Sequence, residues 1–201
     1  MDPRVERGMR RQLAERPGDR IGWKLALNAP PLMERLGLAE PALGWLARSL
    51  VEEDEHSLAG ATNPAVEPEL LLEAGEGGAV ARMGVALEVV DFDRPLDDLE
   101  EVVAANVFHR AVAVGELAEP AAPANAVFSV NGEERARPVP AEEPGDTLAF
   151  VADFLGRLGQ RLAPGELVIA GALAPAAPVT PGDVVELGVE PLGSVTLRFT
   201  D

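Results

Sequence analysis

Between Pro64 and Phe92 the sequence runs as two extended segments broken once by glycine. PAVEPELLLEAG (64–75) alternates as a strand does, Gly75 to Gly78 make a turn, and AVARMGVALEVVDF (79–92) is a second apolar, valine-rich strand. Two long β segments in succession commit much of the chain to sheet. The rest fits around them. RIGWKLALN (20–28) reads as a strand, and Pro30-Pro31 opens a short helix that runs to Leu36 and stops at Gly37. Asn131-Gly132, set between two extended runs, accepts the positive φ angles of a tight hairpin turn. ELVIAGAL and DVVELGVEPLGSVTLRF supply strands at the C-terminal end.

Helices are fewer. The basic stretch Pro3 to Arg16 reads as a helix ended by Pro17-Gly18. A second helix is expected from Pro95 through DDLEEVVAANV, with acids in its first turn where they complement the helix dipole. The clearest amphipathic pattern, Asp146 to Leu162, predicts a helix with Asp146 as N-cap and Pro164-Gly165 as its end. The polar region 52–63 reads as a loop, and AEPAAPANA (118–126) as a connector. No internal repeat or domain boundary is visible. The expectation is a β-rich α+β fold with a few outer helices, one catalytic domain over 1–201 with a helical appendage at 1–19.

Composition narrows the function. A 47% apolar share supports a sizeable core, and a formal net charge of −17 repels nucleic acid and anionic membranes. With no cysteine, disulfides and thiol chemistry are excluded. No apolar run follows Met1, so a cytoplasmic protein is expected. The two histidines, His56 and His109, and the lack of a Gly-x-Ser-x-Gly elbow give little support to standard nucleophile arrangements. His109, after an apolar run, reads as packed or exposed rather than catalytic. An anionic substrate would need local positive charge on so acidic a chain, and a divalent cation would supply it.

Three carboxylates stand in the two long strands. Glu67 and Glu69 are two apart, so they share a face and converge on one point, where they repel unless a cation or proton lies between them. Hard divalent ions take such oxygen ligands. Pro68 between them cannot donate to a ladder, which predicts an edge strand or a bulge. Glu88 stands inside VALEVV, on a wet face or held for a purpose; Glu73 and Asp91 read as solvated. The same Glu-x-Glu spacing also fits the solvent face of a half-buried strand. Lys24 shares its face with the small residues Gly22 and Ala26, which leave room beside it, although a solvated lysine is the default. Gly171, after a strand, can offer backbone amides to an anion.

Taken in order, GWKLALN, LGLAEPALG (36–44), VEPEL, VALEVVDF, VNGEE, the helix near Phe154, VIAGAL and LGSVTLRF resemble the 2-keto-4-pentenoate hydratase branch of the fumarylacetoacetate hydrolase superfamily. The resemblance implies a mixed β-roll and Mg²⁺ or Mn²⁺ held by Glu67, Glu69 and Glu88. It further implies Lys24 as a catalytic and substrate-binding residue, Gly171 as a substrate contact, and a homo-oligomer. The implied reaction is hydration of a short 2-keto (2-hydroxydienoate) acid of aromatic meta-cleavage catabolism. Decarboxylation of a 2-keto dicarboxylate, hydrolysis of an acylpyruvate on the same metal, and a degenerate non-catalytic subunit remain alternatives. Ala105 and Ala170 stand where the branch carries Asp and Thr, and Glu69 and Glu88 are closer in sequence than the branch suggests, as though a helix were missing.

Overall fold

The computed structural model describes residues 1–15, 18–138 and 143–201. In chain order the elements are α1 (Pro3–Glu15), β1 (Arg20–Ala26), α2 (Pro30–Leu36), β2 (Ala42–Ala47), β3 (Val51–Glu52), β4 (Glu55–Ser57), β5 (Pro64–Ala74), β6 (Val80–Asp91), α3 (Leu99–Ala104), β7 (His109–Val114), β8 (Ala124–Val130), β9 (Glu133–Ala136), α4 (Pro144–Arg157), β10 (Leu167–Ala172), β11 (Ala177–Pro178), β12 (Val184–Glu190) and β13 (Gly193–Thr200).

The strands form two sheets. The larger runs β2-β1-β10-β5-β6-β7-β3, with β11 also on β5; the smaller runs β4-β13-β12-β8-β9. The β-rich fold with outer helices is therefore as the sequence reads. The long strands β5 and β6 pair antiparallel over almost their full length and are joined by a 3-10 turn at Glu76–Gly78. The short spacing of Glu69 and Glu88 is the direct result of this hairpin.

The strand containing Pro68 is not an edge. β5 lies between β10 and β6, and the irregularity faces Pro68 from the partner strand: the β10–β5 register shifts between Ile169 and Ala172. A proline in a central strand is tolerated because the neighbouring ladder is already interrupted there. The hairpin at Asn131-Gly132 is present, with both residues at positive φ.

Four boundaries differ from the sequence reading. The helix expected from Pro95 begins at Leu99, where Asp98 accepts a hydrogen bond from the Glu101 N–H; a side-chain cap outweighs a proline as start signal. The C-terminal helix spans 144–157, not 146–162, with Asp146 inside its first turn, and the chain turns left-handed at Gly159. Region 52–63 holds the short parallel strands' residues: Glu52 ends β3 against β7, and β4 lies on β13. Two and three residues are too few to show alternation. The strand β2 was hidden in a glycine- and proline-bearing segment, yet it pairs with β1 from Arg20 to Ala26.

The basic N-terminal helix has a local explanation. Val5, Gly8, Met9 and Gln12 form its buried stripe against α3, and Arg7 and Arg11 pair with Glu100 and Glu101 at the rim. The Gln12 amide donates to the Val103 carbonyl at 2.7 Å. Arg16 and Pro17, where the helix is expected to end, lie outside the described residues. No described helix is long and apolar enough to cross a membrane.

Candidate metal centre

Register brings the three glutamates together. Glu67 lies directly opposite Glu88 across the β5–β6 pair, and Glu69 is opposite Ala86, so all three side chains share one face. One ligand oxygen from each lies within 4.8 Å of the others. Glu69 and Glu88 are each 1% exposed and Lys24 is 2% exposed, so neither the wet face for Glu88 nor the solvated default for Lys24 applies. Asp91 is not solvated either: it is buried and accepts the backbone N–H groups of Thr62 and Asn63. Glu73 does stay apart from the cluster, paired with Arg82 at the rim.

Lys24 reaches the acids from β1, two strands from β5 and three from β6. Its Nζ donates to Glu88 Oε1 and to the Val107 carbonyl, the latter at 3.1 Å. The space it occupies does not come from Gly22. A Cβ there would strike the Leu167 backbone of the parallel strand β10, so that glycine serves strand approach. Room for Lys24 comes instead from Gly44 on β2, where a Cβ would meet the Lys24 stem and Asn106 Oδ1. Gly171 has φ +97° and lies under Asn28; its backbone amide is directed at the Glu69 carboxylate.

The charges divide into two kinds. Burial, then the Glu88 charge, pushes Glu67 up to about 7, against a smaller opposing pull from Lys24. Burial and the charges of Glu88 and Glu67 hold Glu69 well above the carboxylate range. Burial would raise Glu88 too, but the Lys24 ammonium and the hydrogen bond from His109 outweigh it and hold this carboxyl low. One charge is compensated and two are not. With all groups ionised, three carboxylates and one ammonium leave a net −2.

A divalent cation fits that deficit in sign and size. Glu69 Oε2 is buried with no hydrogen-bond partner, an expensive state for a carboxylate oxygen unless a cation or proton satisfies it. The donor set is all oxygen, which suits Mg²⁺ or Mn²⁺ over softer ions.

His109 is the site neighbour that the sequence reading passed over. It is buried, and its Nδ1 lies 2.8 Å from Glu88 Oε1. Nothing in the linear pattern marks it, because it reaches this face through an irregular β6–β7 register. His56 instead pairs with Glu52 at the β4 edge of the smaller sheet.

No family profile matches the chain. It is 27% identical to the 2-hydroxyhexa-2,4-dienoate hydratase of Comamonas testosteroni, over 94% of this chain and 82% of that one. It is likewise 27% identical to a 2-keto-4-pentenoate hydratase of Paraburkholderia phymatum, over 90% and 78% of the respective lengths. Among solved structures, the 4-oxalocrotonate decarboxylase from Pseudomonas putida G7, complexed with magnesium and adipate, superposes with a TM-score of 0.83 at 25% identity, covering 95% of this chain and 82% of that one.

Proposed function

We propose that this chain, a relative of the 2-keto-4-pentenoate hydratase branch of the fumarylacetoacetate hydrolase superfamily, is a divalent-metal-dependent lyase acting on a short 2-keto or 2-hydroxydienoate acid. The observation that carries this reading is the buried face on which Glu67, Glu69 and Glu88 meet, with the Lys24 ammonium on one of them.

In this reading Glu67, Glu69 and Glu88 hold Mg²⁺ or Mn²⁺. When bound, the ion supplies Lewis acidity toward a chelated carboxylate and C2 oxygen. The remaining chemistry falls to the chain. Lys24 carries a mobile proton at Nζ, placed between Glu88 and the Val107 carbonyl, and either holds the substrate carboxylate or delivers that proton to the carbon chain. Glu88 keeps Nζ of Lys24 aimed. The Gly171 amide, beside Glu69, adds a neutral donor on the same face that would orient the substrate acid. The surrounding apolar strands exclude bulk water, which strengthens each of these interactions. We further propose that residues 1–201 act as one catalytic domain, that the protein works in the cytoplasm, and that it assembles as a homo-oligomer.

Hydration and decarboxylation share this machinery, and the likeness to a decarboxylase keeps the second reaction as the alternative. The test is a Mg²⁺- and Mn²⁺-supplemented screen of the chelator-treated protein on 2-hydroxydienoates, 4-oxalocrotonate, oxaloacetate and acylpyruvates. Metal-dependent water addition to a 2-hydroxydienoate is expected. Carbon dioxide release from a dicarboxylate would select the alternative. Metal binding without turnover of any of them would leave the degenerate subunit.

A further inference from the structure

β6 and β7 pair in regular antiparallel register from Ala86–Val114 to Val89–Ala111. Continued one step, that register would set Arg110 against Val90. Instead His109 pairs with Val90, and Arg110 is the extra residue of a bulge. Because side chains alternate along a strand, one extra residue moves everything beyond it to the opposite face. The bulge therefore swings His109 onto the face that carries Glu88 and turns Arg110 outward, where it pairs with Asp93 at 2.7 Å.

The segment leading into the bulge is built to hold this placement. Asn106, Val107 and Phe108 all have positive φ, at 65°, 48° and 65°. Three successive non-glycine residues in the left-handed region, one of them β-branched, are strained and persist only when the surroundings fix them. The fixings are present. The Val107 N–H donates to the Val102 carbonyl, His109 N–H to Asn106, and Asp91 N–H to Phe108. The Asn106 side chain accepts from the Trp45 N–H and donates to the Trp45 carbonyl. The same turn aims the Val107 carbonyl at Lys24 and the His109 ring at Glu88.

Geometry fixes the tautomer. Lys24 Nζ can only donate, so Glu88 Oε1 is an acceptor, and the proton shared at 2.8 Å belongs to His109 Nδ1. Nε2 is buried without a partner, which a bare lone pair tolerates better than an N–H would. Glu88 Oε1 thus accepts from both Lys24 and His109.

We propose that His109 is a positioning residue for the acidic centre: its Nδ1–H, together with Lys24, occupies Glu88 Oε1, fixes the rotation of that carboxylate, and leaves Oε2 for a cation shared with Glu67 and Glu69. His109 acts through Glu88 and touches neither ion nor substrate. The proposal rests on the metal reading above, and its test separates the two.

The measurement is Mn²⁺ binding to the full-length, chelator-treated protein by calorimetry. His109→Asn keeps an N–H near the position of Nδ1, whereas His109→Gln displaces the same amide by one methylene and His109→Leu removes it. Removing such an outer partner typically weakens metal affinity by about 10–100-fold. His109→Leu and His109→Gln are therefore expected to bind Mn²⁺ about 10–100-fold more weakly, and His109→Asn within about threefold of the parent. A purely structural role would not distinguish Asn from Gln in this order, so the comparison stands even if the leucine variant does not fold. With two histidines in the chain, the imidazole ¹⁵N spectrum gives a second readout, expected to show His109 as the neutral Nδ1–H tautomer. Equal Mn²⁺ affinity in the parent, His109→Asn and His109→Gln, or an Nε2–H tautomer, would overturn the proposal while leaving the metal reading intact, provided Glu69→Gln binds weakly. Parent-like binding in Glu69→Gln would overturn both.

Discussion

The two sheets treat their glutamates in opposite ways. In the smaller sheet β12 and β13 alternate buried and exposed residues along their length, and Glu186 and Glu190 point into solvent. In the larger sheet β5 and β6 are buried almost continuously, on both faces, and Glu67, Glu69 and Glu88 have little or no water to turn to. A carboxylate in a strand has no fixed meaning. On a half-covered sheet it is the ordinary polar member of an alternating pair; on a sheet covered on both sides it must find a proton, an ammonium or a metal ion.

That contrast can be broken or sharpened by substitution. The largest effect is expected at the one compensated charge. Lys24→Met strands Glu88, and breaking one side of a buried pair costs on the order of 3–5 kcal/mol. Chemical denaturation of the metal-free variant checks this, and the double variant Lys24→Met/Glu88→Gln is expected to recover part of the loss. If Lys24→Met is as stable as the parent, the buried ion pair is not what the geometry shows.

Next in size is the response to metal. At a hundredfold excess over Kd, binding to the folded state alone adds about 2.7 kcal/mol. The melting temperature is expected to rise with Mn²⁺ in the parent, and Glu69→Gln to abolish most of that rise. Glu73→Gln and Glu186→Gln should leave it in place, and a loss with Glu186→Gln would erase the distinction between the sheets.

A smaller effect follows from the raised carboxyl of Glu67. A group whose folded pKa lies above its ordinary value binds its proton more tightly in the native state. It favours folding below the usual carboxylate range, and that contribution disappears as pH rises through about 7. Without metal, stability should therefore fall between about pH 4.5 and 7. Glu67→Gln removes its share of that slope and leaves the share of Glu69, whose carboxyl is raised as well. Asp2 and Asp93, held down to about 2 by arginines, titrate well below this window and do not confuse it. The smallest effect belongs to Glu186→Gln, with stability expected within about 0.5 kcal/mol of the parent at neutral pH. Equilibrium denaturation at pH 7 measures it.

The sequence carried the acids because their geometry is local. Period-two spacing puts Glu67 and Glu69 on one face, and a glycine turn returns the chain so that Glu88 meets them. What escaped it is whatever depends on distant partners. β5 becomes central only through β10, a strand almost a hundred residues on, so of the two expectations Pro68 raised, edge or bulge, the edge does not apply and the irregularity lies in the partner strand. Lys24 is buried because β2 and the left-handed turn close over it, and neither contact is a matter of composition. His109 depends on a single bulge, which shifts face without leaving a mark in hydropathy.

The parallel pairing of β1 with β10 places Lys24 beside Ile169. The β5–β6–β7 meander, by contrast, is contiguous between residues 64 and 114. As a chain is synthesised, the three glutamates can therefore be brought together while the strand that docks their ammonium still lacks its neighbour. Contacts that span most of the length form slowly, because closing a long loop must precede any gain from it. The acids are thus gathered by short-range pairing alone, whereas their ammonium takes its place through a pairing that spans most of the chain.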